Sequence, residues 1–311
     1  MLFVDAHCDT ITRIMERKET LKKNSCHVDL ERLKAAGSFV QFFAAFIEPV
    51  YNQAYALRWA LQVIDRLNLE IESNKDDIML CCNYSDVQEA IKNNKVAAVI
   101  SIEDGSALQG ELSALRALYK LGVRSICLTW NHRNEIADGV ADGTSGGGLT
   151  PFGRQVVAEM NRLGMLIDVS HLSEKGFWDV LELSTQPVIA SHSNAKSVCS
   201  HKRNLSDEQI LALKKNNGVM GINFYPWFLN NSQKADINDI IRHIEHIISI
   251  SGDDHVGIGA DFDGIEITPY YIAGLQDVDK LFNKLATLNY KEKTIKKLAG
   301  ENFMRVIKDV L

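Results

Sequence analysis

The chain opens with a short apolar run that ends in a histidine and an aspartate two positions apart. The run covers residues 2–8, and the two polar residues are His7 and Asp9. Side chains at positions i and i+2 of a strand point to the same face, so both can reach one point at the end of the strand. Imidazole and carboxylate are ligands of zinc and similar divalent metals. Taken alone, they fit a partly buried polar pair at least as well as a metal site.

The same arrangement recurs where later apolar runs end. Glu103, His171, His192 and Asp261 each follow or close such a run. Singly, each has a structural explanation as a core histidine, an ion-pair partner or a turn residue. Together at one edge of a sheet they would bury many ionisable groups, which costs several kcal/mol unless a cation is present. The recurrence therefore indicates a metal centre.

Five or six ligands are too many for one tetrahedral zinc ion with an open position. They suit two metal ions about 3.5 Å apart, bridged by a carboxylate and a hydroxide. Glu103 is the expected bridge, because a glutamate can offer one oxygen to each ion. We expect His7 and Asp9 to bind one ion, and His171 and His192 to bind the other.

The elements that must position these residues are short strands alternating with amphipathic helices. The predicted strands cover residues 2–8, 39–47, 96–102, 125–130, 165–169, 188–191, 219–224 and 256–260. The main predicted helices cover residues 54–71, 112–121, 152–163, 174–183, 207–215 and 237–250, with Ser173 and Ser206 as N-caps. Eight repeats of this kind favour an α/β fold, a closed (β/α)8 TIM barrel, over an open sheet. Active sites of such barrels lie at the C-terminal ends of the strands.

The chain shows no sign of a boundary between domains. It has 311 residues and no evident linker, so residues 1–311 are predicted to form one hydrolase domain. The segment between Ile47 and Val96 is long enough to hold two helices. The tail after Leu275 is predicted to add C-terminal helices.

Composition excludes several classes of partner. The net charge is -6 and no basic stripe is present, which argues against binding nucleic acid. No apolar run is long enough to span a bilayer, so no membrane association is expected. The six cysteines show no CxxC spacing and no export signal precedes them, which predicts reduced thiols in a cytoplasmic protein.

Two further histidines lie on one predicted helix. His243 and His246 are three positions apart, a spacing that can bind a metal ion. A solvated helix face is the simpler interpretation, and the sequence predicts that one.

Several stretches together resemble the membrane (renal) dipeptidase family over nearly the whole chain. They are His7-Cys8-Asp9, Glu103, Asp168-Val169-Ser170-His171, Ser191-His192-Ser193-Asn194-Ala195, Gly259-Ala260-Asp261-Phe262-Asp263-Gly264 and the run of residues 148–171. This family is similar to the metal-dependent amidohydrolases in its barrel and uses two Zn²⁺ ions to hydrolyse dipeptides. The resemblance thus implies dipeptide substrates, two zinc ions per chain and a possible homodimer.

The resemblance also implies roles for individual residues. Arg203 matches the arginine that binds the substrate carboxylate, and a guanidinium suits that partner. Asp261 matches the aspartate that engages the substrate ammonium and moves a proton to the leaving nitrogen, while Asp263 is predicted to be structural. Where mammalian-type members carry an oxyanion histidine, this chain has Trp130, and His132 lies two residues on. Either, or neither, is expected to act there.

The sequence therefore predicts a metallopeptidase in which a hydroxide bridging two zinc ions attacks a dipeptide. Glu103 and Asp261 are its expected catalytic residues. One alternative is another enzyme of the same barrel type, such as a deacylase of N-acyl amino acids. A second is a non-catalytic relative that binds metal or peptide.

Overall fold

Parallel strands form the centre of the molecule. The computed structural model describes residues 1–37, 39–51, 54–232 and 234–311. Within these residues nine strands are present, and all their pairings are parallel. They are β1 (Phe3–Cys8), β2 (Phe39–Phe46), β3 (Ile78–Leu80), β4 (Val96–Glu103), β5 (Val123–Cys127), β6 (Leu166–Asp168), β7 (Ile189–Ser193), β8 (Val219–Ile222) and β9 (Val256–Ile258).

Eight of these strands close on themselves. Their order is β2-β1-β9-β8-β7-β6-β5-β4, and a further pairing of β2 with β4 completes the ring. β3 lies outside the ring and pairs only with the start of β4. The predicted (β/α)8 TIM barrel is confirmed.

All eight predicted strands are present, although their ends differ by one to three residues. The run predicted over residues 125–130 ends at Cys127, because the carbonyl of Leu128 accepts hydrogen bonds from the Asn134 side chain (2.8 Å) and from Gly105 N–H (3.3 Å) instead of extending the ladder. β3 was not predicted, since three apolar residues do not define a period.

Helices surround the barrel. They are α1 (Thr10–Arg17), α2 (Leu30–Ala36), α3 (Ala56–Ser73), α4 (Tyr84–Lys92), α5 (Leu112–Lys120), α6 (Pro151–Leu163), α7 (Glu174–Leu183), α8 (Asp207–Lys215), α9 (Pro226–Leu229), α10 (Ile237–Ser251), α11 (Asp279–Thr287), α12 (Glu292–Lys296) and α13 (Asn302–Val310). The predicted caps are confirmed: Ser173 accepts from Gly176 N–H, and Ser206 forms a reciprocal capping box with Gln209.

The insertion and the tail also follow the prediction. α3 and α4 fill the segment between Ile47 and Val96, together with β3. In the tail, α13 packs against β1, β8 and β9, and its Phe303 and Val306 share a buried cluster with Val4. Among the described residues, no helix combines the length and the hydropathy needed to cross a bilayer.

The solvated helix face predicted for α10 is wrong for His243. This side chain is fully buried: its Nδ1 accepts from Ala195 N–H at 3.1 Å, and its Nε2 donates to Leu229 O at 3.0 Å. Burial lowers the pKa of His243 to about 4. His246 is half-buried and contacts Asp207 at 2.8 Å.

Candidate active site

His7 and Asp9 meet at the C-terminal end of β1, as their spacing predicts. His7 Nε2 lies 3.4 Å from Asp9 Oδ2, and both side chains are buried. His7 Nε2 and Asp9 Oδ1 make no hydrogen bond to any described residue. Buried polar atoms without partners are costly, so this pair fits a metal ion that would satisfy them.

Glu103 ends β4 and contacts histidines on two sides of the site. Its Oε2 lies 3.3 Å from His7 Nε2. Its Oε1 lies 3.0 Å from His171 Nε2 and 3.6 Å from His192 Nε2. One carboxylate thus offers each of its oxygens to a different set of nitrogen ligands.

The second set is a pair of histidine nitrogens that face each other. His171 Nε2 and His192 Nε2 are 2.9 Å apart. The Asn131 Oδ1 atom, which can only accept, lies 2.9 Å from His171 Nδ1 and therefore fixes the proton there. Both Nε2 atoms can then carry lone pairs, an arrangement that a cation between the rings would stabilise.

A chain of hydrogen bonds through Ser191 and Asp168 fixes the proton of His192 on Nδ1. Ser191 Oγ lies 2.7 Å from His192 Nδ1, and its hydroxyl donates a hydrogen bond to Asp168 Oδ2. The hydroxyl must therefore accept from Nδ1–H, which leaves Nε2 free. Asp168 also accepts from the N–H groups of Ser170 and Ser191, each at 2.9 Å.

Burial and charge keep these imidazoles neutral. Burial, reinforced by the Arg203 guanidinium, lowers the pKa of His171 to about 3. Burial likewise holds the pKa of His192 well below its usual value. Burial opposes ionisation of Glu103, but the positive charge of His7 holds the pKa of Glu103 well below the usual range. Neutral imidazole and ionised carboxylate are the forms that bind metal.

Asp261 follows β9, which neighbours β1, and its side chain approaches His7. Its Oδ1 lies 4.0 Å from His7 Nε2, and its backbone N–H donates to His7 O at 3.2 Å. Burial raises the pKa of Asp261 to about 7, against the opposing effect of His7. The residue has a φ of 62°, in the left-handed region.

Gly264 allows the turn after β9 to lie close to the carboxylates. A Cβ atom at this position would stand 2.3 Å from both Asp9 Oδ2 and Asp261 Oδ1. Asp263 secures the same turn, because its carboxylate accepts from Thr10 Oγ1 at 2.6 Å and from His27 N–H at 2.7 Å. These bonds agree with the structural role predicted for Asp263.

Arg203 is buried beside the histidines. Its Nη2 donates to His192 O at 3.0 Å, and its guanidinium carbon lies 5.6 Å from the centre of the Phe228 ring. Its Nε has no hydrogen-bond partner among the described residues. The guanidinium therefore retains capacity for a ligand.

These groups line one cavity of about 680 Å³. Asp9, Glu103, His171, Arg203 and Asp261 all contribute to its wall. That volume suits a small-molecule ligand.

Trp130 and His132 differ in position. Trp130 lines the cavity, with its ring 6.1 Å from that of His171 and 5.5 Å from that of Phe46. The His132 side chain is 67% exposed, lies 3.9 Å from Asp142 and takes no part in lining the cavity.

Sequence reasoning missed Asn131, which lines the cavity and contacts His171. The one feature of the sequence that could have pointed to Asn131 is its position next to Trp130.

Comparison with known proteins agrees with this geometry. Residues 1–311 match the family described as membrane dipeptidase, peptidase family M19. The chain belongs to the membrane dipeptidase family. It is therefore a metallopeptidase of the dipeptidase type.

Individual relatives cover nearly all of the chain. The dipeptidase tcpJ of Claviceps purpurea is 33% identical over 311 residues, spanning 96% of this chain and 72% of that protein. A metallo peptidase from Rhodobacter sphaeroides, solved with a phosphinate mimic of the dipeptide L-Ala-D-Ala, has a TM-score of 0.94 and 28% identity over 100% of this chain and 99% of its own. The dipeptidase AC structure has a TM-score of 0.94 and 30% identity over 100% of this chain and 98% of its own.

Proposed function

We propose that this protein hydrolyses dipeptides with the aid of two zinc ions. The observation that supports this most directly is the position of Glu103, whose two oxygens face different histidines. The unpartnered His7 Nε2 and Asp9 Oδ1 atoms support it further. Glu103 would be shared by two metal positions, one completed by His7 and Asp9 and the other by His171 and His192.

The ions would supply Lewis acidity that activates water and polarises the scissile carbonyl. The protein contributes the orientation of the ligands. Asn131 and Ser191 hold the His171 and His192 rings so that Nε2 of each points toward Glu103.

Arg203 and Asp261 are proposed to bind the two charged ends of the substrate. The guanidinium of Arg203 suits the terminal carboxylate, and the carboxylate of Asp261 suits the ammonium. Binding both ends orients the peptide bond and excludes longer chains. The cavity is large enough to hold a dipeptide.

Asp261 is also proposed to transfer a proton to the leaving nitrogen. Its carboxylate lines the cavity beside the proposed metal ligands, where it can pass a proton to a bound substrate. For the developing oxyanion, Trp130 is the proposed donor, because its ring lines the cavity and carries one N–H. The exposed position of His132 favours Trp130 for this role.

A comparison of two substrates tests the proposal. Zinc-loaded protein should hydrolyse Gly-Leu and leave N-acetyl-leucine largely intact, because only the first offers an ammonium to Asp261. Faster hydrolysis of N-acetyl-leucine would indicate a deacylase. Recovery of intact Gly-Leu bound to zinc-loaded protein would indicate a binding protein without catalytic activity.

The proposal also covers the domain extent, the oligomeric state and the cellular location of the enzyme. We infer one catalytic domain over residues 1–311, a homodimer and a cytoplasmic location without membrane or nucleic-acid partners. The six cysteines, all unpaired thiols, support a reducing compartment, and the net charge of -6 argues against nucleic-acid partners. The possible homodimer rests on the family resemblance alone. Light scattering on purified protein and fractionation of cells test it.

A further inference from the structure

Asn223 lies directly behind Asp261. It follows β8, is fully buried, and its Nδ2 donates to Asp261 Oδ2 at 2.8 Å. This residue does not line the cavity. An effect on a ligand must therefore pass through a neighbour that does line it, either Asp261 or Tyr225, whose N–H also bonds Asn223.

The orientation of the Asn223 amide is fixed by its other bonds. Its Oδ1 accepts from Tyr225 N–H at 2.6 Å, so the NH₂ group must point to Asp261. Asn194 fixes the backbone of the same residue: Asn194 Oδ1 accepts from Asn223 N–H at 3.1 Å, and Asn194 Nδ2 donates to Asn223 O at 2.9 Å. The amide cannot rotate without breaking this network.

The fixed amide decides which oxygen of Asp261 is available. Oδ2 is occupied by Asn223, whereas Oδ1 lies on the side of His7 at 4.0 Å. Asn223 is also a neutral donor. An arginine or lysine there would cancel the charge of Asp261, but an amide orients the carboxylate and leaves its negative charge for a ligand cation.

We propose that Asn223 is a positioning residue that makes the site selective for substrates with a free α-ammonium group. It acts by holding Asp261 with Oδ1 turned toward the substrate. The inference rests on the proposed role of Asp261 in binding the ammonium, and it adds the residue on which that role depends.

The test uses binding of two probes to the zinc-loaded enzyme. One is a phosphinate analogue of Ala-Ala, and the other is the same compound without its amino group. Wild-type protein should bind the amino form more tightly. Asn223→Ala should reduce this preference by about tenfold or more, while affinity for the des-amino form changes by less than about threefold.

A double-mutant cycle shows whether the effect passes through Asp261. In an Asp261→Ala background, adding Asn223→Ala should change neither affinity by more than about twofold. Asn223→Leu is a second variant of similar shape: it removes the donor to Asp261 without adding a charge beside it. It carries the test if the alanine variant fails to fold. Asn302→Ala is the matched control, because it removes a buried amide whose side-chain bonds within the described residues go to the main-chain carbonyls of Asp253 and Val256.

Each outcome is decisive. Loss of affinity for both probes in parallel, or unchanged selectivity in the Asn223 variants, would overturn the role of Asn223 but not that of Asp261. A wild-type protein that binds both probes equally would overturn the role of Asp261, and the inference with it. Selectivity lost in the Asn223 variants, with no further change in affinity when Asn223→Ala is added to Asp261→Ala, supports both.

Discussion

Glu103 Oε1 lies 3.0 Å from His171 Nε2, although the two residues belong to different strand ends of the barrel. The other oxygen of the same carboxylate lies near His7. Replacing Glu103 by glutamine keeps the shape but removes the charge that two metal positions would share. Glu103→Gln should therefore lower kcat/KM for Gly-Leu by more than about 100-fold and lower the bound zinc.

Activity assays, metal analysis and circular dichroism check this prediction together. Glu159→Gln alters a glutamate on the surface that pairs with Arg162, and it should leave activity and zinc content unchanged. Full activity of Glu103→Gln would remove Glu103 from the mechanism.

Removing metal should destabilise the protein. His7 Nε2 and Asp9 Oδ1 would be left buried without partners, and two histidine nitrogens would face each other. Ligand at 100 times its dissociation constant adds about 2.7 kcal/mol to the free energy of unfolding. Thermal unfolding with a chelator, and again after zinc is restored, should show a reversible fall in Tm. His132→Ala should show the same fall, since its side chain lies outside the site.

Ser191 should control metal affinity without touching the metal. Its hydroxyl links Asp168 to His192 and fixes the imidazole proton. Ser191→Ala should weaken zinc binding by about 10- to 100-fold, as measured by competition with a chromophoric chelator. Ser193→Ala, which removes a buried hydroxyl that bonds no described residue, is the control. Equal loss in both variants would show that packing alone is responsible.

Arg203 should act on substrates that carry a carboxylate. Arg203→Lys keeps the charge but loses the planar pair of donors, so KM for Gly-Leu should rise by about tenfold or more. Gly-leucinamide, which lacks the carboxylate, should be a poor substrate whose kcat/KM is similar in both proteins. A parallel loss on the two substrates would contradict the proposed contact.

His243 should make stability depend on pH. Its pKa is about 4 in the folded protein and about 6.5 in the unfolded chain, so the unfolded state binds more protons between these values. The histidine therefore contributes stability above about pH 6.5 that is lost as pH falls toward 4, by roughly 3 kcal/mol. Denaturant unfolding of wild type and His243→Asn at several pH values should show a difference that shrinks in acid. A constant difference would contradict this.

The barrel and the meeting of the ligands could be predicted because both depend on strand periodicity. An apolar run ending in His or Glu places that residue at one edge of a parallel barrel, whatever the helices do. Asn131 and Asn223 could not be found in this way, since an amide gains its role only from the partners that the fold brings to it. His243 was misjudged for the same reason: its partners, Ala195 and Leu229, lie on distant segments.

The first and last strands of the barrel are neighbours. Asp5 of β1 pairs with Ile258 of β9, and Asp9 N–H donates to Phe262 O at 2.9 Å. A nascent chain leaving the ribosome carries His7 and Asp9 from the outset but cannot complete their surroundings until residue 262 has emerged. The proposed metal position at His7 and Asp9 is thus completed only near the end of synthesis.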